Sequence, residues 1–409
     1  MTLWFDTTDV WDWSSPQLTG VQRVVVHVLG EILRSGAEVR LFRFDRTSRA
    51  LLALAPDELA PGIQKHCGLP PGRTDGPRAG GRRFWPGRLP ALRRWRSRPP
   101  TPPGLFKRGD VCLSLSLTWG FWGYWEAIAA HKRVGVKVVQ LLHDITFVVH
   151  PQWVLPDWTV MGTEWLRDVT EQADLLLVTS QFQRAEVERY LGHAGLPRRP
   201  IEVVTLGDDP PGLTPRPGAA PARRPRAPFV LCVSGFYPRK NHHALYHVWR
   251  RLALRLGDRC PFLLLVGEVP RMPFELLSQI ERDPLTRDRV LVWLDVDDDE
   301  LAHLFRDCLF TVYPSHYEGW GLPVAESLRL GRYCIASSAS SLPEVGGDLV
   351  DYVDPFDHLG LYDRIEHALE NPGYVREREA AIRARYRPRS WTDTARRILS
   401  VVSRETPGG

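Results

Sequence analysis

Short apolar runs recur along the chain, each broken by turn residues, and between them lie stretches with apolar side chains at helical spacing. In the first half the predicted strands are Leu3–Phe5 (ending at Asp6), Val39–Arg43, Asp110–Leu113, Val136–Leu142, Leu175–Val178 and Ile201–Thr205. Val21–Leu33 has the helical period. The run from Val136 to Leu142 is mostly apolar, as a central parallel strand covered on both faces must be. The second half predicts strands at Phe229–Val233, Phe262–Val266, Val290–Trp293, Leu309–Tyr313 and Tyr333–Ala336, and helices over Asn241–Leu256 and Trp391–Val402. Strands alternating with helices in both halves predict two doubly wound α/β sheets. Between them Asp208–Pro228 holds seven prolines and little to bury, the composition of a linker. The expected division is therefore 1–207, a linker at 208–228, 229–385, and a final helical segment at 386–409.

A chain of 409 residues exceeds one ordinary core, and 43% hydrophobic with 25% charged residues is a soluble composition. No apolar run approaches the roughly 18 residues a membrane span needs. Met1–Asp6 lacks a basic leader, so the expected location is the cytoplasm. The six cysteines show neither CxxC nor His pairing at metal spacing and read as reduced core residues. The net charge of +5 is mild but unevenly spread. From 76 to 109 no acid occurs, while cations from Arg78 to Arg108 interleave with Phe84, Trp85 and Trp95. This insertion suits an anionic membrane surface, which would place the protein peripherally at the inner face of the plasma membrane. An arginine-rich loop without a partner fits equally well, and nucleic acid is the least favoured partner.

The densest chemistry lies between Tyr313 and Glu326. Two carboxylates, Glu318 and Glu326, flank a turn containing Gly319 and Gly321, and Pro323 suits the first position of a helix. The main-chain N–H groups around Gly321 and Leu322, with the positive end of the helix dipole, make a seat for a phosphate. Upstream, Gly235 gives a turn after a strand, and Arg239, Lys240 and Asn241 follow where the next helix begins. Paired cations there suit a diphosphate and would stabilise it further as it departs. His143 and Asp144 close the strand of the first half that ends at Leu142, and Gly20 stands at the start of the first helix. Asp297 with Glu300 reads as a helix capping box rather than a metal site.

The Glu318 to Glu326 segment resembles the Glu-x7-Glu signature of the retaining glycosyltransferases of family 4. Gly331–Val345, the Pro238-Arg-Lys-Asn241 loop, His143-Asp144 and Gly20-Val21 are similar to further motifs of that family. The resemblance implies the GT-B fold, two Rossmann-like domains facing each other across a cleft. It also implies that Glu318 holds the donor sugar and Glu326 the ribose, that Arg239 and Lys240 take the phosphates, and that His143 shapes the reacting face. Gly20 would admit backbone to the phosphates. Many members carry an Arg directly after the glycine where this chain has Phe236, so Arg239 must cover that loss or the grip is weaker. No essential metal or other cofactor is implied beyond a nucleotide-diphosphate sugar as substrate. The expectation is a retaining hexosyltransferase, mannosyl from GDP-mannose first, acting on a glycan or lipid-linked acceptor in cell-surface polysaccharide or glycolipid synthesis. The alternatives are a sugar-nucleotide epimerase and a catalytically inactive binding protein on the same fold.

Overall fold

The computed structural model describes residues 1–13, 18–70, 104–209, 223, 225, 228–268 and 275–404. Two compact units form. The first comprises Met1–Pro151, Leu155–Leu206 and the segment from Ser390 onward; the second comprises Gly207–Arg389 with Gln152–Val154.

The first unit is a seven-stranded sheet in the order β3-β2-β1-β4-β5-β6-β7. Its strands are β1 (Leu3–Asp6), β2 (Val39–Asp45), β3 (Ala50–Leu54), β4 (Val111–Ser114), β5 (Lys137–Leu142), β6 (Leu175–Val178) and β7 (Ile201–Val203). All neighbours are parallel except β3, which pairs antiparallel with β2 through Leu41↔Leu54 to Asp45↔Ala50. Helices α1 (Gly20–Arg34), α2 (Tyr124–Lys132) and α3 (Pro156–Gln172) connect and cover the sheet. Thr19 caps α1 in a capping box with Gln22, so its first turn is satisfied without an acid.

The second unit is a fully parallel six-stranded sheet, β10-β9-β8-β11-β12-β13. It consists of β8 (Phe229–Val233), β9 (Phe262–Val266), β10 (Val290–Trp293), β11 (Thr311–Tyr313), β12 (Cys334–Ser337) and β13 (Asp351–Val353). Alternate residues of β8 and β9 serve opposite cores. Val230, Cys232, Leu263 and Leu265 pack beneath α4 (His242–Leu256), whereas Phe229, Leu231, Leu264 and Val266 pack against α5 (Asp298–Asp307). A sheet buried on both faces is why these strands read as unbroken apolar runs.

The observed boundaries differ from those read off the sequence in three places. Asp208 is not free linker: it is buried, its N–H donates to the Arg389 carbonyl at 2.9 Å, and its carboxylate accepts from Tyr386 and pairs with Arg329. Tyr386–Arg389 therefore belong to the second unit, and Ser390 rather than 386 begins the returning segment. Arg223 is likewise anchored, donating to both carboxylate oxygens of Glu300 at 2.9 and 3.0 Å. Asp297 does cap α5, accepting from the Glu300 N–H at 2.8 Å, but the Glu300 carboxylate is taken by Arg223 and not by the cap. Most of the rest of the proline-rich stretch lies outside the described residues. So does most of the basic aromatic insertion, residues 76–103. Its end, however, is core: Phe106 is buried, edge-on to Trp4 and Phe42 at 5.1 and 5.3 Å.

The two units contain α6 (Leu322–Arg329) and α7 (Trp391–Arg404) respectively as second-unit and first-unit elements. Helix α7 lies against α1, burying Trp391, Ala395, Ile398, Val401 and Val402. Trp391 meets His27 at 5.1 Å, and Thr394 donates to the Thr205 carbonyl.

Candidate active site

In an open sheet the crevice opens where neighbouring strands send their connections to opposite sides. In the second unit that point lies between β8 and β11, because β8 leads toward β10 and β11 leads toward β13. The loops leaving these two strands hold Gly235–Asn241 and Pro314–Gly321.

Glu318 is the centre of the cluster they form. Lys240 Nζ donates to its Oε1 at 2.6 Å, Tyr313 Oη to the same oxygen at 2.9 Å, and Arg239 Nη1 to Oε2 at 2.8 Å. Lys240 also donates to Tyr313 Oη at 2.7 Å, and Arg239 to the Tyr317 carbonyl at 2.9 Å. Glu318, Lys240 and Tyr313 are all buried. Burial alone would raise the Glu318 carboxyl, but the Lys240 and Arg239 charges outweigh it and hold the group at about 2. Burial, then the neighbouring carboxylate, pushes the Tyr313 phenol well above its ordinary range, so it remains a donor. Two cations against one carboxylate leave this trio with one positive charge in excess.

The surrounding residues hold the loops in place. Asn241 adopts a left-handed conformation (φ 58°) and spends its amide on the Pro314 and Pro355 carbonyls at 3.1 and 2.8 Å, tying the β8 loop to those after β11 and β13. Its side-chain amide thus braces these loops against one another. Phe236, at the position where the family resemblance leads one to expect Arg, is fully buried and stacks on His242 at 4.7 Å. Its ring offers no cation, and the positive side chains of this loop beside Glu318 are Arg239 and Lys240. A Cβ on Gly235 would meet the Tyr237 ring at 2.8 Å, so this glycine serves close packing. Gly321 is the cap residue of α6 at φ 115°, and a Cβ there would strike Leu342 Cδ2 at 2.5 Å. Helix α6 starts at Leu322, one residue before the expected Pro323 start. Ser341 Oγ holds the turn by donating to the Glu318 and Trp320 carbonyls, and the Glu318 N–H donates to Ser340 Oγ. Glu326 is buried one turn into α6, and Gly319 lies in the turn between the two acids.

In the first unit the equivalent point lies between β1 and β4. Buried Asp6 closes β1 and accepts from the Thr8 N–H, Ser114 Oγ and Tyr124 Oη, joining β1, β4 and α2. His143, at the end of β5, has Nε2 2.7 Å from the Leu115 carbonyl. Burial lowers its basicity, only partly offset by that carbonyl and by Asp144. A carbonyl can only accept, so the neutral ring carries its proton on Nε2 and keeps a lone pair on Nδ1. Asp144 accepts from the Thr146 N–H and hydroxyl, fixing the loop. Gly20 is exposed at the first turn of α1, with open space where a Cβ would stand.

The sequence reading missed Tyr313 and Asp6. As the last residue of an apolar run, Tyr313 carries no sequence signal of this role beyond its place directly before the Pro314 turn. All six cysteines are buried free thiols, and burial pushes Cys67, Cys232 and Cys334 up to about 12. Among the described residues no helix is long and apolar enough to cross a membrane.

Comparison with known proteins agrees with this arrangement. Residues 219–387 match the family profile described as glycosyl transferases group 1, and residues 18–210 match that of glycosyltransferase family 4. A serotype-specific mannosyltransferase, WbdA of Escherichia coli, is 32% identical over 176 residues, 43% of this chain and 22% of that protein. The match therefore spans about a fifth of the relative's length. The O-antigen chain mannosyltransferase B of E. coli is 25% identical over 279 residues, covering 64% and 69% of the two chains. Among solved structures, Anabaena HepE in complex with UDP-glucose superposes with a TM-score of 0.61 at 14% identity, covering 99% of this chain and 100% of that one. With two Rossmann-like sheets of matching strand order and two profile matches that run through most of its length, the chain belongs to the family 4 glycosyltransferases of GT-B fold.

Proposed function

We propose that the protein is a retaining glycosyltransferase that moves a hexosyl residue from a nucleotide-diphosphate sugar to a hydroxyl of a glycan or lipid-linked acceptor. The observation that carries the reading is the Glu318–Lys240–Arg239 cluster at the switch point of the second sheet, with its excess positive charge. The diphosphate of the donor would lie against Lys240, Arg239 and the N–H groups at Gly321 and Leu322. Glu326 would hold the ribose and Glu318 the sugar. As the glycosidic bond breaks, charge grows on the departing phosphate oxygen, where the two cations lower the barrier most. That oxygen would take the acceptor's proton as the hydroxyl attacks the same face, preserving the anomeric configuration. His143 would contribute an acceptor at Nδ1 from the first unit. The diphosphate would lie against side-chain cations and main-chain donors, and the family resemblance implies no essential divalent metal.

The mannosyltransferase relatives favour a mannosyl donor, GDP-mannose, and the O-antigen relative favours cell-surface polysaccharide synthesis. HepE, solved with UDP-glucose, makes UDP-sugars the competing donors. Calorimetric titration with GDP-mannose, UDP-glucose and dTDP-sugars tests the donor. Proton NMR of the product's anomeric coupling tests retention. Binding of no nucleotide sugar, or equal binding by Lys240→Ala, would overturn the proposal; turnover without an acceptor would point to an epimerase instead.

A further inference from the structure

Strand β5 carries one amide where the rest of its interior is apolar. Val138, Val139, Leu141 and Leu142 are buried hydrophobics, and Gln140 between them is wholly buried as well. Its register partner on β4 is Ser114, whose hydroxyl donates to Asp6 of β1 at 2.8 Å. A buried polar row therefore crosses the three central strands near their carboxyl ends. An amide in such a place costs desolvation that an apolar side chain would not. Gln140 offsets part of it, because Nε2 donates to the Ser116 carbonyl at 3.1 Å and to the Leu141 carbonyl at 2.8 Å. Both neighbours can only accept, which fixes the amide with its nitrogen toward them. Its Oε1 has no partner among the described residues, so what the amide contributes is its donor end. That end holds the segment after β4. Leu115 and Ser116 lie past the last residue of the strand, and both carbonyls accept from side chains: Leu115 from His143 at 2.7 Å, Ser116 from Gln140. The next fixed point is Thr118, whose hydroxyl accepts from Trp165 Nε1 at 2.9 Å.

We propose that Gln140 is a positioning residue for His143: by holding the Ser116 carbonyl it steadies the Leu115 carbonyl, and so keeps the imidazole protonated at Nε2 with an acceptor at Nδ1. A ring's tautomer is set by the hydrogen bond its other nitrogen makes, and a carbonyl sets it only while it stays in place. Gln140 itself does not touch the reacting atoms; it acts through the ring. The remaining restraints on His143 hold its backbone and leave the tautomer open. Thr179 Oγ1 donates to the His143 carbonyl at 3.4 Å, and Asp144 accepts from the Thr146 N–H and hydroxyl. The groups that act on the ring are the Leu115 carbonyl and the Asp144 charge. With the Leu115 carbonyl loose, the proton can settle on either nitrogen. A ring protonated at Nδ1 presents a donor where the reaction calls for an acceptor. The consequence for catalysis rests on the transferase reading; the placement of the ring does not.

The test uses the full chain with isotope-labelled histidine and NMR of the ring nitrogens, the His143 signal being identified by its loss in His143→Gln. Wild type should carry the His143 proton on Nε2. Gln140→Met, close in shape but without a donor, should show a mixture of tautomers. Turnover of the nucleotide sugar bound in the calorimetric titration, read as released nucleoside diphosphate, should fall about ten- to a hundredfold, with donor affinity unchanged. Gln140→Asn keeps an amide in the polar row but falls a methylene short of Ser116; it should behave alike, and it serves if the methionine chain does not fold. In the Gln140→Met, His143→Gln double variant kcat should match that of His143→Gln alone within about twofold, because the brace has nothing left to act on. An unchanged His143 signal in a folded Gln140 variant, a wild-type ring protonated on Nδ1, or losses that multiply in the double variant would overturn the proposal. A wild type without transferase activity, whose His143 signal still shifts in these variants, would instead remove the catalytic reading and leave the brace standing.

Discussion

Glu318→Gln isolates the charge at the centre of the second unit. A carboxyl held at about 2 instead of its ordinary 4.5 contributes about 3 kcal/mol of stability at neutral pH, as an upper figure because glutamine keeps some hydrogen bonds. The loss has a second origin as well, since Lys240, buried beside Tyr313, would then have no carboxylate in this cluster. For a unit of this size, about 3 kcal/mol lowers the melting temperature by roughly 6–12 °C. The sign with pH follows from the depressed value. The folded state favours the ionised carboxyl, so the contribution is complete above 4.5 and drains away as pH falls toward 2. Calorimetric melting of wild type and variant at pH 7, 5, 4 and 3 should show a gap that narrows through the acid range. Added nucleoside diphosphate should stabilise the variant more than wild type, because its phosphates meet cations that Glu318 no longer neutralises. Melting temperatures within a degree of each other at pH 7, or a gap undiminished at pH 3, would refute the reasoning.

Lys240→Ala leaves Glu318 with Arg239 as its remaining cation in this cluster; kcat should fall about 10²–10³-fold, and stability by about 3–5 kcal/mol, read by steady-state kinetics and calorimetry. Gly321→Ala forces a φ of 115° on alanine and a Cβ into Leu342, costing about 1–3 kcal/mol from the backbone alone. Adding Leu342→Ala removes the collision but not the backbone strain, so it should not restore the melting temperature. Burial lowers His143, so the folded state resists its protonation and stability declines as pH drops below 6.5. His143→Gln keeps a donor for the Leu115 carbonyl and should flatten that decline in melts between pH 7 and 5; identical slopes would reverse the assignment.

Much of the fold was legible because both sheets are sandwiched: β6, β8, β9 and β10 appear as unbroken apolar runs with the bounds expected of them. Strand β3 was not legible. Ala50–Leu54 follows β2 after a short turn, and its pairing is a hairpin, which no alternation of strand and helix implies. Strand β13 has only Asp351–Val353 and draws its strand character from lying beside β12. Within the site, Gly321 could be read because its conformation excludes side chains. The grip of Arg239 and Lys240 on Glu318 spans almost eighty positions and left no local trace. Asp208 was hidden for the same reason, as an acid among prolines whose partners are Arg329, Tyr386 and Arg389.

Helix α7 gives the first unit a discontinuous sequence, with everything from Gly207 to Arg389 inserted before its last element. On the ribosome, then, the apolar stripe of α1 emerges long before the helix that covers it. The nascent first unit must wait through synthesis of the whole second unit with that stripe open to chaperones or to aggregation. Cutting the gene at the proline-rich stretch would not yield two independent folding modules. The amino-terminal piece should recover its native state only when the 391–404 peptide is supplied with it.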